Sequence, residues 1–229
     1  MAHGEVGKLL ADVVVPTGYA VRGGPLAEDL RRYKSDRAGV AEAAAAAGRL
    51  RGRLAAFLAE QGRAVWAAAG MTAGPQAVAV VPTGQGRSGT HPLVGLVLSC
   101  VELPLVGLAV VAPEAHARGV NPGWVRVTDR LDDGSGALVL EGADVLSGAD
   151  VLSGADVLVV DDTWVSGGSA QSVAAALKLA GARRVAVVVL GRHVNPADRR
   201  SAAFLDAIGK APSGTCPRAP GRFVLKAGQ

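Results

Sequence analysis

The chain has 229 residues, 49% of them hydrophobic and 19% charged, with a formal net charge of +4, a balance that excludes a disordered protein and suits a globular α/β core. Aromatic residues amount to only 3%, so the core must rest on Ala, Val and Leu. Two cysteines, Cys100 and Cys216, exclude both a disulfide framework and a paired-cysteine metal site.

The opening MAHGEVGKLL lacks the long apolar region of a signal peptide, and the expectation is a cytoplasmic protein. A short apolar stretch, Val13, Val14 and Val15, is followed by Pro16, Gly18, Gly23 and Gly24, then by the basic cluster Arg31, Arg32, Tyr33 and Lys34; the segment predicts a short helix. Over residues 37–61 the apolar positions Val40, Ala44, Ala47, Leu50, Leu54 and Leu58 recur at three and four residues, which predicts an amphipathic helix. Arg49, Arg51, Arg53 and Glu60 lie off that stripe and read as a solvated face, so a nucleic-acid partner is not expected. Residues 1–70 are thus a helical elaboration, and residues 71–229 the α/β core.

From residue 77 onward, apolar strands alternate with helices: a strand over 77–81, a helix from about Thr90, a strand over 105–111, a strand over 157–160, a helix over 170–180 and a strand over 185–190. This alternation predicts an open, mainly parallel sheet with helices on both faces, whose ligands bind at the carboxyl ends of the strands. Residues 93–111 are apolar, but Glu102 and Pro104 interrupt them, so they divide into helix and strand and do not span a membrane. Cys100 falls in the apolar helical run and reads as core.

The first strand of the core runs into Pro82, Thr83, Gly84, Gln85, Gly86, Arg87, Ser88 and Gly89, a glycine-rich loop ahead of a helix. Its amides and the Arg87 guanidinium suit phosphate. The same residues spell Gly84-x-Gly86-x-x-Gly89, a dinucleotide fingerprint for which Glu114 would be the ribose-binding acid; this gives a dinucleotide-dependent oxidoreductase as one alternative. His91 and His116 are placed for acid–base work or for capping. ADVLSG occurs at residues 143–148 and 149–154, before ADVLVV opens the strand at Ala155; the tandem copies read as a lengthened loop or strand edge that offers a competing pairing register.

Residues 157–169, VLVVDDTWVSGGS, carry the most chemistry. A buried strand delivers Asp161 and Asp162 to the sheet edge, and Thr163, Ser166, Gly167, Gly168 and Ser169 lead into an alanine-rich helix that ends at Gly181. The first amides of such a helix point outward and the dipole places about half a positive charge there, so the turn suits a phosphate, with Ser169 as a candidate N-cap. Two carboxylates repel phosphate and suit sugar hydroxyls or Mg²⁺. Ser166 lacks the glycine two residues before it that a nucleophile elbow requires.

This string resembles the phosphoribosyl-pyrophosphate (PRPP) motif of type I phosphoribosyltransferases: an apolar strand, two acids, Thr, two variable residues, Thr or Ser, Gly, a small residue, and Thr or Ser. The resemblance implies that Asp161 and Asp162 hold the ribose hydroxyls and serve a Mg²⁺ ion, and that Thr163 to Ser169 wrap the 5-phosphate. It also implies that Thr83, Gly84, Gln85, Gly86 and Arg87 bind the pyrophosphate, with Asp161, Asp162 and Arg87 as the catalytic set. Residues 117–127, with Arg118, Asn121 and Trp124, stand where that family carries a mobile loop. These three, the Tyr33-Lys34 pair and residues 87–93 are similar to the competence-associated amidophosphoribosyltransferase-like branch, although the cysteine-rich N-terminal element of that branch is absent. Purine-salvage members place an acid three residues after the second Asp; here Val165 stands there. Residues 191–198, with Arg192, His193 and Asn195, read as a loop that contributes to the acceptor site. The expected function is Mg·PRPP-dependent transfer of phosphoribose to a nitrogen nucleophile. A non-catalytic PRPP- or nucleotide-binding regulator is the other alternative, and a homodimer is compatible with either.

Overall fold

The structure, a computed structural model, describes residues 7–35, 37–83, 91–111, 119–128, 145–146, 152–198, 201 and 205. They form a mixed α/β fold on a mostly parallel sheet. The strands are β1 (Val13–Pro16), β2 (Tyr19–Val21), β3 (Ala77–Val80), β4 (Leu105–Val110), β5 (Val125–Thr128), β6 (Val145–Leu146), β7 (Asp156–Trp164) and β8 (Arg184–Val194). The sheet order is β1-β8-β7-β3-β4-β5, with β2 on β8 and β6 on β4. Every pairing is parallel except β4 with β5.

Both edges are composite. Val13 pairs with Ala186 and Tyr19 with Arg192, the same offset, so β1 and β2 are one edge strand in a single register and the sheet counts seven. The break falls at Thr17 and Gly18, and the ladder persists through it: the Thr17 amide donates to the Val189 carbonyl at 2.7 Å and the Arg192 amide to the Gly18 carbonyl at 2.9 Å. At the far edge β6 covers Leu105 and Val106 while β5 covers Gly107 to Val110. The first copy of the repeated hexapeptide thus supplies β6 and the second supplies Leu152, buried in the core; residues 143, 144 and 147–151 of the two copies lie outside the described ones.

The helices that flank the sheet among the described residues include α1 (Pro25–Arg32), α2 (Val40–Ala69), α3 (Pro92–Leu98) and α4 (Gly168–Leu179). By the two-residue period of a strand, Leu158 and Val160 of β7 join α2 and α3 in one apolar cluster, while Val157 and Val159 join α4 in the other. The helix expected over 37–61 is longer and rotated. It runs on past Gly62, which is buried against the Trp66 ring, and its buried stripe is Ala46, Leu50, Leu54, Phe57, Gly62, Val65 and Ala69, leaving Val40 at 88% exposure. It stops at Gly70, whose φ of 77° allows the Gly70 amide to reach the Ala67 carbonyl and the Met71 amide that of Trp66, a paired closure of the last turn.

Other boundaries also move. The strand expected over 105–111 ends at Val110, and the helix expected from Thr90 opens at Pro92. Cys100 follows that helix and is only partly buried, not core. At the amino end of β7, Asp156 is buried and accepts two bonds from Arg183, at 2.9 and 2.6 Å, which satisfies a charge that would otherwise be costly there. Among the described residues no helix is long and apolar enough to cross a membrane.

Candidate functional site

Strand β7 does not end before the aspartates. It continues through Asp161, Asp162, Thr163 and Trp164, because β8 also extends, pairing Asp161 with Val189, Thr163 with Gly191 and Trp164 with Arg192. Successive side chains therefore leave on opposite faces. Asp162 shares the face of Leu158 and Val160, beneath the N-terminal elements, and Asp161 the face of α4. Both are buried. The Asp162 amide donates to the Asp161 Oδ1 at 2.8 Å, tying the pair together along the backbone.

Asp162 is held by the N-terminal segment. Its Oδ2 accepts from the Tyr33 hydroxyl at 2.5 Å and from the Lys34 ammonium at 2.6 Å, and the His91 Nε2 stands 3.9 Å away. Tyr33 and Lys34 arrive there because α1 packs closely on β8 at Gly191. A Cβ at that position would lie 2.4 Å from the Leu30 Cδ1 and 3.0 Å from the Ala20 Cβ, so the absence of a side chain lets the helix settle and ends it over Asp162. Of the loop expected over 191–198, residues 191–194, with Gly191, Arg192 and His193, are strand residues of β8, and residues 195–198, with Asn195, lie beyond it.

The environment drives the two carboxyls apart. Burial and the adjacent Asp162 charge push Asp161 up from its ordinary 3.8 to about 7. Burial also pushes Asp162 up, but the Lys34 charge, the bonds from Lys34 and Tyr33, and His91 outweigh it and hold that carboxyl below its ordinary value. Near neutrality Asp162 is a firm anion, while Asp161 divides between acid and carboxylate.

Beyond Trp164 the chain turns into α4. The N-cap is Gly167, at φ 81°, with no side-chain cap bond, and the helix opens at Gly168; the cap expected at Ser169 lies inside the first turn. A Cβ on Gly167 would fall 2.1 Å from the Trp164 ring, and one on Gly168 2.8 Å from the Gly119 carbonyl oxygen. Both glycines are thus required by backbone and packing, and the turn presents the amide end of a twelve-residue helix. Ser166 and Ser169 flank that end, and Thr163 sits in β7 beside Gly191. Val165, where purine-salvage motifs carry an acid, is 73% exposed.

Of the loop after β3, Thr83 lies just past the strand, and Gly84, Gln85, Gly86 and Arg87 lie outside the described residues, as do Glu114, His116 and Arg118. His91 opens α3: its Nδ1 accepts from the Leu93 amide at 3.0 Å, which leaves the proton on Nε2, toward Asp162. The capping reading of His91 thus holds. The described part of residues 117–127, the segment that stands where the family carries a mobile loop, packs against α4. The Asn121 amide donates to the Ser172 hydroxyl at 2.8 Å, the Asn121 side chain accepts from Gly123 at 2.9 Å, and Trp124 is buried in the core of that face before β5 begins.

The carboxyl ends of β3 and β7 therefore bring together Asp161, Asp162, Thr163, Ser166, Gly167, Gly168 and Ser169 with Thr83 and His91 close to the strand ends. Tyr33 and Lys34 join them, residues that stood out in the sequence only as part of a basic cluster and through a family likeness, without a role.

No model of a known protein family matches this chain, and no curated protein matches it. Among solved structures, the chain is similar to the crystal structure of purine phosphoribosyltransferase from Pyrococcus horikoshii Ot3, over 66% of this chain and 88% of that one, with 16% identity and a TM-score of 0.33.

Proposed function

We propose that this protein binds PRPP at the carboxyl end of β7 and transfers its phosphoribosyl group to a nitrogen nucleophile. The observation that carries the reading is the course of residues 157–169, in which adjacent buried carboxylates pass directly into a glycine turn and the amide end of α4. The ionised Asp162 accepts hydrogen bonds from ribose hydroxyls, and the α4 amides with Ser166 and Ser169 take the 5-phosphate. The incoming nitrogen forms a bond to the anomeric carbon as the carbon–oxygen bond to pyrophosphate breaks; the electron pair leaves with pyrophosphate and the nitrogen's proton passes to solvent. Arg87 with the amides of Thr83, Gly84, Gln85 and Gly86 stabilises that leaving group, electrostatic work of a kind for which one lost donor costs about 3 kcal/mol.

Among the described residues no three His, Cys, Asp or Glu side chains gather to hold a metal, and the Asp162 Oδ2 already carries two donors. A Mg²⁺ ion that accompanies PRPP would be held largely by ligand phosphates, with Asp161 or Asp162, which leave opposite faces of β7, as its protein contact. When bound, that ion neutralises charge on the leaving group.

Calorimetric titration of PRPP with and without Mg²⁺ tests the binding. Measurable affinity that is lost in Asp161→Asn/Asp162→Asn is the expected result, and undiminished affinity in that variant overturns the reading. Pyrophosphate release across a panel of bases and amines tests the transfer. The exposed Val165, which leaves no acid to serve a base at that position, favours a second reading as a PRPP-binding regulator; silence across the panel, with PRPP bound, selects it. A cytoplasmic location and a homodimer accompany the proposal.

A further inference from the structure

The two N-terminal residues on Asp162 differ in kind. Tyr33 is buried and closes the carboxylate from within. Lys34 is 34% exposed against 11% for the Asp162 side chain, so the ion pair opens to solvent on the lysine's side. That side is the carboxyl end of a parallel sheet, where ligands of such sheets bind, and His91 at the head of α3 approaches the same oxygen. An anionic ligand drawn to this edge meets Asp161 and Asp162, and a repulsion of about 1 to 4 kcal/mol per charge pair at 4 Å follows unless a cation intervenes.

We propose that Lys34 is a ligand-contacting residue, whose ammonium, seated on Asp162, also binds an anionic oxygen of the phosphorylated ligand. The inference rests on the reading of the site as one for a phosphorylated ribose. Lys34 thereby has two tasks: it cancels the Asp162 charge that the ligand would face, and it marks the anion's place before the ligand arrives. A purely structural ion pair would contribute only the first.

The test compares the wild type with Lys34→Met and Lys34→Arg by calorimetry with PRPP, ribose 5-phosphate and inorganic pyrophosphate. Affinity for PRPP is expected to fall about tenfold or more in Lys34→Met, as for loss of one charge-assisted bond, and to recover largely in Lys34→Arg. A loss shared with pyrophosphate places the contact at the diphosphate, and a loss shared with ribose 5-phosphate places it at the 5-phosphate. Equal PRPP affinity in wild type and Lys34→Met overturns this inference and leaves the PRPP site standing; a wild type that binds no PRPP overturns both. Because Lys34→Met leaves a buried carboxylate and can unfold, reductive methylation of Lys34 in the wild type, read by peptide mass spectrometry, decides independently. Slowing by PRPP supports the contact, and an unchanged rate overturns it.

Discussion

The Tyr33 hydroxyl and the Asp162 carboxylate, 129 residues apart in the chain, meet in a hydrogen bond of 2.5 Å, and this contact fastens the N-terminal segment to the strand that carries the site. Tyr33→Phe removes the donor and nothing else. With the bond made to a charged group in a buried place, a loss of about 1.5 to 3 kcal/mol is expected in urea unfolding, together with weaker PRPP binding. Unchanged stability would show that Asp162 is held by Lys34 alone.

Gly191 is the second hinge of that attachment. Gly191→Ala must displace Leu30 or Ala20, and overpacking of this kind costs about 1 to 3 kcal/mol. The larger expected effect is on the site, since a shift of α1 carries Tyr33 and Lys34 away from Asp162. Thermal unfolding and PRPP titration on the same variant separate the two, and PRPP affinity is expected to fall by more than the lost stability alone explains.

Gly167→Ala is the corresponding test of the phosphate turn. The residue combines φ of 81° with a Trp164 ring where its Cβ would lie, so strain and collision together are expected to cost about 3 kcal/mol and to abolish PRPP binding. Gly52, by contrast, sits in the exposed middle of α2 with open space around it. Gly52→Ala is expected to stabilise the protein by about 1 kcal/mol and leave binding unaltered.

Asp161 imposes a pH dependence of definite sign. Its folded value of about 7 lies above the ordinary 3.8, so between those values the folded chain keeps a proton that the unfolded chain has released. Stability of the ligand-free protein therefore falls as pH rises through that window, by up to about 1.4 kcal/mol per unit from this group. Asp162, held low, acts in the opposite sense and only at lower pH, as its carboxylate is protonated. Urea unfolding at pH 5, 6, 7 and 8 should show Asp161→Asn gaining on the wild type up to about pH 7 and holding a constant lead above it.

Much of this was legible in the chain. The strand, the adjacent acids and the glycine turn of residues 157–169 are local features, and their spacing alone carries strand, turn and helix. The ends were not legible, because a strand continues as long as its neighbour offers hydrogen bonds: Asp161 to Trp164 look like loop until β8 is seen to run alongside through Val194. Gly62 looks like a helix end until the Trp66 ring is found against it. Tyr33 and Lys34 on Asp162 could not be read, since the meeting depends on the small space above Gly191, a property of two packed elements and of neither segment alone.

The single register that β1 and β2 hold against β8 sets an order of assembly. Among the described residues the first strand made pairs with the last, while β7, α4 and β8 are contiguous and can form among themselves. Contacts of such long sequence separation form late and slowly. On the ribosome the phosphate turn can therefore exist while Asp162 still lacks its lysine and tyrosine, and it gains both only after residue 194 has emerged and the amino-terminal strand has returned to β8. The candidate site would then be assembled in two stages, with the amide end of α4 first and the charge-compensated carboxylate last.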